Sequence, residues 1–93
     1  MTKGKDFLRR LTREGALQDQ PLPGLPIVEL AGNRRVLIEN HRGVREYSRE
    51  RIGVKVKSGL VVVCGQGLEL SRMTRELLVI RGTIEGIRLE RRG

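Results

Sequence analysis

The 93-residue chain is poor in aromatic, cysteine and histidine residues. It has no Trp, and its only Phe and Tyr are Phe7 and Tyr47. So few rings cannot provide the stacking surface with which oligonucleotide-binding sheets hold bases. The core must therefore be built from Val, Ile and Leu, and β-branched side chains of this kind favour strands.

The single Cys and the single His exclude most site chemistry. Cys64 cannot form an internal disulfide, and its position in the apolar run 60–64 predicts a buried structural thiol. His41 and Cys64 do not supply the several converging ligands that a metal needs. The sequence also lacks a phosphate-binding GxxxxGK[ST] loop and a dinucleotide fingerprint. We therefore expect no metal, no cofactor, no small-molecule substrate and no enzymatic activity.

Long hydrophobic runs are also missing. No window approaches the roughly 18 apolar residues of a membrane span. The first residues are basic but lack the apolar segment of a secretory signal. These two observations predict a cytoplasmic protein.

Positive charge is abundant: the net charge is +8, and 15 of the 19 basic residues are Arg. Residues 33–60 hold eight basic and three acidic residues, a net charge of +5. This positive charge favours an anionic partner, and it does not distinguish among nucleic acid, an acidic protein and a phospholipid surface. The alternative is a solvated face of ion pairs, because three glutamates interrupt the patch. The candidate partner-binding residues are Arg42, Arg45, Tyr47, Arg49, Lys55 and Lys57.

The chain divides into an arm, a domain and a tail. Residues 1–24 form the arm, with an amphipathic helix predicted over 3–18, and a Pro-rich linker over 19–26 runs into the domain. Residues 25–90 form the domain, and 91–93 are a charged tail. The helix could lie on an anionic membrane or partner, or pack against its own domain.

The domain has short apolar segments separated by glycine-containing turns, a pattern typical of a small β fold. Apolar residues alternate with Gly and Lys over 52–57, whereas residues 60–64 are apolar on both faces and predict the central strand. A change of phase between Ile84 and Ile87 predicts a bulge at Gly86. Seven or eight short strands, spaced by about eight residues, predict an antiparallel sandwich or partial barrel. A short β-solenoid-like stack is the alternative. The exposed strand edges of such a domain could accept a strand from a partner or from a second copy of this chain.

The segment Asn40-His41-Arg42-Gly43 is predicted to be a structural turn. Asn40 and Gly43 are residue types that tolerate positive φ or cap a turn, and His41 can bond to the backbone. A binding or catalytic role for His41 is the alternative. The chain offers His41 no defined nucleophile, which argues against catalysis.

Residues 38–44, IENHRGV, followed by Glu46-Tyr47-Ser48, resemble the YabP/YqfC family of bacterial sporulation proteins, its YqfC branch most of all. The glycine and apolar pattern continues the resemblance over residues 25–90. It implies a role in endospore formation, inside the cell or peripheral to a membrane. It also implies a protein partner. The candidate is YqfD, a neighbouring membrane protein with which the YqfC branch is associated. The resemblance implies no catalytic residue. The expected function is a non-enzymatic sporulation factor, and the alternative is a nucleic-acid-binding β module.

Overall fold

The computed structural model describes residues 24–91, which form six β-strands and no helix. The strands are β1 Ile27–Ala31, β2 Arg35–Glu39, β3 His41–Tyr47, β4 Arg51–Val56, β5 Gly59–Met73 and β6 Leu77–Arg91. They form one open sheet in the order β1-β2-β6-β5-β4-β3, and every neighbouring pair is antiparallel. The predicted all-β antiparallel class is confirmed. A solenoid would pair its successive coils in parallel, so that alternative is excluded.

The described chain has six strands where the spacing predicted seven or eight, because two pairs of predicted strands are continuous. Residues 60–64 and 68–71 both belong to β5, and residues 77–80 and 84–89 both belong to β6. The glycines between them produce bulges and do not end the strands. One register shift leaves Glu85 without a partner, immediately before Gly86, where the phase change predicted a bulge.

The long β5–β6 hairpin is shared by two halves of the sheet. The first half comprises β1, β2 and residues 69–73 and 77–81; the second comprises β3, β4 and residues 59–64 and 84–91. Glycines permit the backbone to approach closely where the halves meet. A Cβ on Gly65 would collide with the carbonyl oxygen of Thr83. Gly82 has a φ of 140°, and a Cβ there would lie 2.7 Å from the carbonyl oxygen of Gly67.

The core lies between the inner faces of the two halves and is entirely aliphatic in the described residues, as the composition predicted. Its fully buried members come from four strands: Val36, Ile38, Ile52, Val54, Val61, Val63, Leu68, Leu78 and Ile80. Val62 is also fully buried, although it points to the opposite face from Val61 and Val63. The prediction of a central strand that is covered on both faces is therefore confirmed for this part of β5.

Cys64 is only half-buried, so the predicted buried thiol is wrong. It points to the outer face, and its neighbour across β6 is Gly86, which has no side chain to cover it. The predicted helix over 3–18, with the rest of the arm before residue 24, lies outside the described residues. Arg91, assigned to the charged tail, is the last residue of β6.

Candidate functional site

Residues 40–43 form a sharp corner between β2 and β3. Asn40 has a φ of 65° and Gly43 a φ of 109°, both in the left-handed region. The Asn40 backbone N–H donates to the carbonyl oxygen of Glu76 at 2.8 Å. Its side-chain amide donates to the carbonyl oxygen of Leu25 at 2.9 Å. The corner is thus tied both to the β5–β6 turn and to the start of the described chain.

The His41 ring, 9% exposed, completes this corner. Its Nδ1 accepts a hydrogen bond from the Gly43 backbone N–H at 3.0 Å, and its Nε2 lies 2.8 Å from the carbonyl oxygen of Thr74. A neutral ring with its proton on Nε2 satisfies both contacts. Each ring nitrogen is then engaged with backbone. The structural role of Asn40, His41 and Gly43 stays a prediction that stability measurements can test.

Three of the six candidate partner-binding residues line one cleft on the outer face of the second half. Arg42, Arg45 and Lys55 line this cleft of about 510 Å³, and β6 adds Arg91 and Glu90. The cleft is called the basic cleft below. β3 has two register shifts against β4, and each places an extra residue on this edge strand beside the basic cleft.

The other three candidates lie elsewhere. Tyr47 is at the exposed end of β3, Arg49 is in the β3–β4 turn and Lys57 is in the β4–β5 turn. The carbonyl oxygen of Arg49 accepts a hydrogen bond from the Leu68 N–H at 2.8 Å. The backbone of the β3–β4 turn is therefore held against β5 where the two halves of the sheet meet. The predicted patch is therefore divided by the fold, and none of these three residues lines the basic cleft.

An ion-pair network crosses the outer face of the same half. Arg51 Nε lies 2.9 Å from Glu46 Oε2, and Arg51 Nη2 lies 3.9 Å from Glu90 Oε2. Arg88 Nη2 lies 3.0 Å from the same Glu90 oxygen. The hydrogen bond to Glu46, followed by its charge, raises the pKa of Arg51. A raised pKa keeps this cation charged at every pH below the ordinary arginine value, so the network loses no positive charge in the neutral range.

A second group of cations lies on the outer face of the first half, and sequence reasoning missed it. It lines a cleft of about 750 Å³ together with Glu69 and Ser71. We call it the arginine cluster, and its members are Arg34, Arg35, Arg72 and Arg81. Its residues come from a turn and three strands that are distant in sequence. Only the strand register could have revealed it.

The sheet is open between β1 and the later part of β6. β1 pairs only with β2, and residues 84–91 of β6 pair only with β5. The Ile84 N–H donates to the carbonyl oxygen of Asn33 at 2.6 Å, and beyond this contact the two edges border one groove. We call this the seam groove. It is lined by Leu30, Gly32 and Asn33 on one side and by Ile84, Glu85, Gly86 and Ile87 on the other.

Residues 24–91 contain no group of three or more His, Cys, Asp or Glu side chains that could hold a metal ion. Within the same residues no helix is long and apolar enough to cross a membrane.

Comparison with known proteins identifies a family and a relative. A model of the YabP family matches residues 26–93. The chain is 27% identical over 78 residues to "Uncharacterized protein YqfC" of Bacillus subtilis (strain 168), an alignment that covers 84% of each chain. No solved structure matches.

Proposed function

This chain belongs to the YabP family, and on that premise we propose that it is a non-enzymatic factor needed for endospore formation, acting by contact with another protein. The resemblance of residues 38–48 to sporulation proteins supports the process. The proposed partner is a membrane protein that this chain meets from the cytoplasm, as a peripheral component. The proposed contact is an extended segment of that partner.

The observation that carries this proposal is the seam groove. A strand edge with one neighbour presents unpaired backbone N–H and C=O groups, and an extended segment can satisfy them by adding a strand. β1 keeps a regular five-residue register with β2, without a bulge. Its Leu30 side chain is 57% exposed at the groove. β3, the other edge of the sheet, has two register shifts, and bulges hinder strand addition.

The geometry of His41 supports a non-enzymatic role. A general base needs a ring nitrogen within reach of a substrate proton. In the corner, the Nδ1 atom accepts from Gly43 and the Nε2 atom contacts Thr74, so neither nitrogen is directed to a substrate. We therefore propose that the ring fixes the corner.

A pull-down from sporulating cells tests the proposal. Leu30→Lys places a charge at the seam groove and should abolish capture of a membrane protein, because edge lysines prevent strand addition. Met73→Lys is the matched control: Met73 is 51% exposed, does not line the groove and should leave capture unchanged. Equal capture by wild type and by Leu30→Lys would refute the seam groove as the contact.

The same variants separate a foreign partner from a second copy of this chain. Sedimentation of the purified wild-type protein gives its oligomeric state. If Leu30→Lys converts a dimer to a monomer while capture of the membrane protein persists, the groove serves self-association. The proposed contact would then be wrong.

A nucleic-acid-binding module is the second candidate, and the basic cleft favours it. Arg42, Arg45, Lys55 and Arg91 line one cleft, in which Glu90 is the one carboxylate from the described part of the chain. Phosphate contacts would give an affinity that falls steeply with salt. Filter binding of single- and double-stranded probes should then weaken in Lys55→Gln, while Arg75→Gln, an exposed position in the β5–β6 turn outside the cleft, retains binding. Very weak binding that does not depend on salt would remove this candidate.

A further inference from the structure

We propose that the arginine cluster is a binding site for a soluble ligand that carries two or more neighbouring phosphate groups. This site is separate from the seam groove and does not depend on the protein contact proposed above. Among the described residues, four guanidinium groups and one hydroxyl line its cleft, and Glu69 is the only carboxylate there. The lining therefore has four positive charges against one negative charge.

The strand register brings like charges together at the centre of this site. Arg35 on β2 and Arg81 on β6 are direct Cα partners, so their side chains leave the same face of the sheet. Like charges in directly opposite positions destabilise a sheet. The neighbour of Arg35 on its other side is Ala31, which has no charge, and the neighbour of Arg81 on its other side is Glu69. One carboxylate therefore stands beside two cations in this row, and a bound anion would remove the remaining repulsion.

The four guanidinium groups have few partners among residues 24–91. Arg34 Nη1 lies 3.4 Å from the Thr83 hydroxyl, a long and weak contact. No ion pair within the described residues involves any member of the cluster. In the ion-pair network of the second half, by contrast, Arg51 and Arg88 both contact carboxylates at 3.0 Å or less. The cluster therefore retains donors that a ligand can use.

The chemistry of the lining indicates phosphate. Guanidinium is a planar fork that binds phosphate oxygens in pairs, and several forks together suit a ligand with several anionic groups. A cleft of about 750 Å³ has the size of a site for an organic ligand and exceeds the needs of one phosphate group. Together these points favour a diphosphate-containing molecule.

The surroundings argue against a membrane lipid and against single-stranded nucleic acid. Surfaces that enter a bilayer combine basic residues with exposed apolar ones. The apolar lining residues are Ala31 and Val79, and Val79 is only 9% exposed. No aromatic side chain from residues 24–91 lines the cleft, so these residues offer bases no stacking surface there. A free phosphorylated molecule fits these features better.

Calorimetric titration of the full chain with pyrophosphate at low salt tests the site. The wild type should bind, and Arg35→Gln and Arg81→Gln should each bind about tenfold more weakly or worse, a loss of about 1.4 kcal/mol. Arg88→Gln removes the same charge from the ion-pair network and should keep the wild-type affinity. If all three variants weaken binding equally, only net charge is being measured and the proposed site is wrong.

Two further arms identify the source of the phosphate. Vesicles of phosphatidylglycerol should not bind with a dependence on Arg35, and a single-stranded oligonucleotide should not displace pyrophosphate. Displacement by the oligonucleotide that is lost in Arg35→Gln would overturn the proposal in favour of nucleic acid. Vesicle binding that is lost in Arg35→Gln would overturn the choice of a soluble ligand. Circular dichroism of each variant verifies that loss of binding does not reflect loss of fold.

Discussion

The outer faces of the two halves of this sheet carry similar residues but satisfy their charges differently. In the second half, Arg51 and Arg88 contact the carboxylates of Glu46 and Glu90. In the first half, the arginine cluster has one carboxylate in its cleft and no ion pair within the described chain. A net charge of +8 therefore does not identify a binding surface. The distribution of partners does.

The ion-pair network lies beside a buried apolar side chain on the outer face of β5. Val62 points to the outer face of β5, between Gly53 on β4 and Arg88 on β6, and it is fully buried. The aliphatic stems of long charged side chains can cover apolar surface in this way. Val79 is the corresponding residue in the first half, because it lies on the outer face of β6 beside Arg72, lines the cleft of the arginine cluster and is 9% exposed. The two faces therefore differ in their ion pairs and not in this packing.

The largest expected effect comes from disrupting the bend in β5 at Gly65, where the two halves of the sheet meet. Gly65→Ala would place a Cβ against the Thr83 carbonyl oxygen, where backbone must move. Overpacking of this kind costs about 1–3 kcal/mol or more of unfolding free energy. Gly86→Ala is the matched control, because a Cβ there meets nothing within 4 Å. Equal melting temperatures for the two variants would show that the bend tolerates a side chain.

His41→Ala should be the next most damaging change. The ring joins β3, in the second half, to the Thr74 carbonyl at the end of the first half. Its loss leaves that carbonyl and the Gly43 N–H, both in part-buried contacts, without their ring partner, at about 1–3 kcal/mol in total. Arg42→Ala, on the exposed neighbour, should remain within about 0.5 kcal/mol of wild type. Thermal melts decide this, and an unchanged His41→Ala melt would remove the structural role of the ring.

Gly43→Ala should have a smaller effect in the same corner. Gly43 has a φ of 109°, which an L side chain rarely adopts, while the nearest side-chain atom, of Lys55, would be 3.9 Å from a new Cβ. The cost is therefore backbone strain without a clash, on the order of 1 kcal/mol. Denaturant titration measures it. A stabilised Gly43→Ala would show that the corner relaxes to another conformation.

The sequence predicted local features better than distant ones. The alternation over 52–57 and the doubly apolar run 60–64 identified an interior strand pair, because side-chain periodicity follows from the backbone. The corner at Asn40 and Gly43 was also located, since positive φ favours these residue types. Gly65 directly follows the predicted strand 60–64, and in the structure it permits β5 to bend and continue. Only the contact with Thr83 makes the difference visible.

The arginine cluster could not be predicted for a related reason. Arg35 and Arg81 become neighbours through the register of β2 with β6, and pattern analysis does not give that register. The six candidate partner-binding residues lie close together in sequence, between positions 42 and 57. The fold brings three of them together at the basic cleft and separates Tyr47 from them.

The most direct test of the contrast between the two faces is the unfolding free energy of Arg35→Gln and Arg88→Gln, measured without ligand at low salt. Arg35→Gln should be more stable than wild type by a few tenths to about 1 kcal/mol, because it removes a like-charge cross-strand pair. Arg88→Gln should be equal or slightly less stable, because it removes an exposed ion pair with Glu90. Both differences should shrink at high salt. A destabilised Arg35→Gln, with a stabilised Arg88→Gln, would contradict the account.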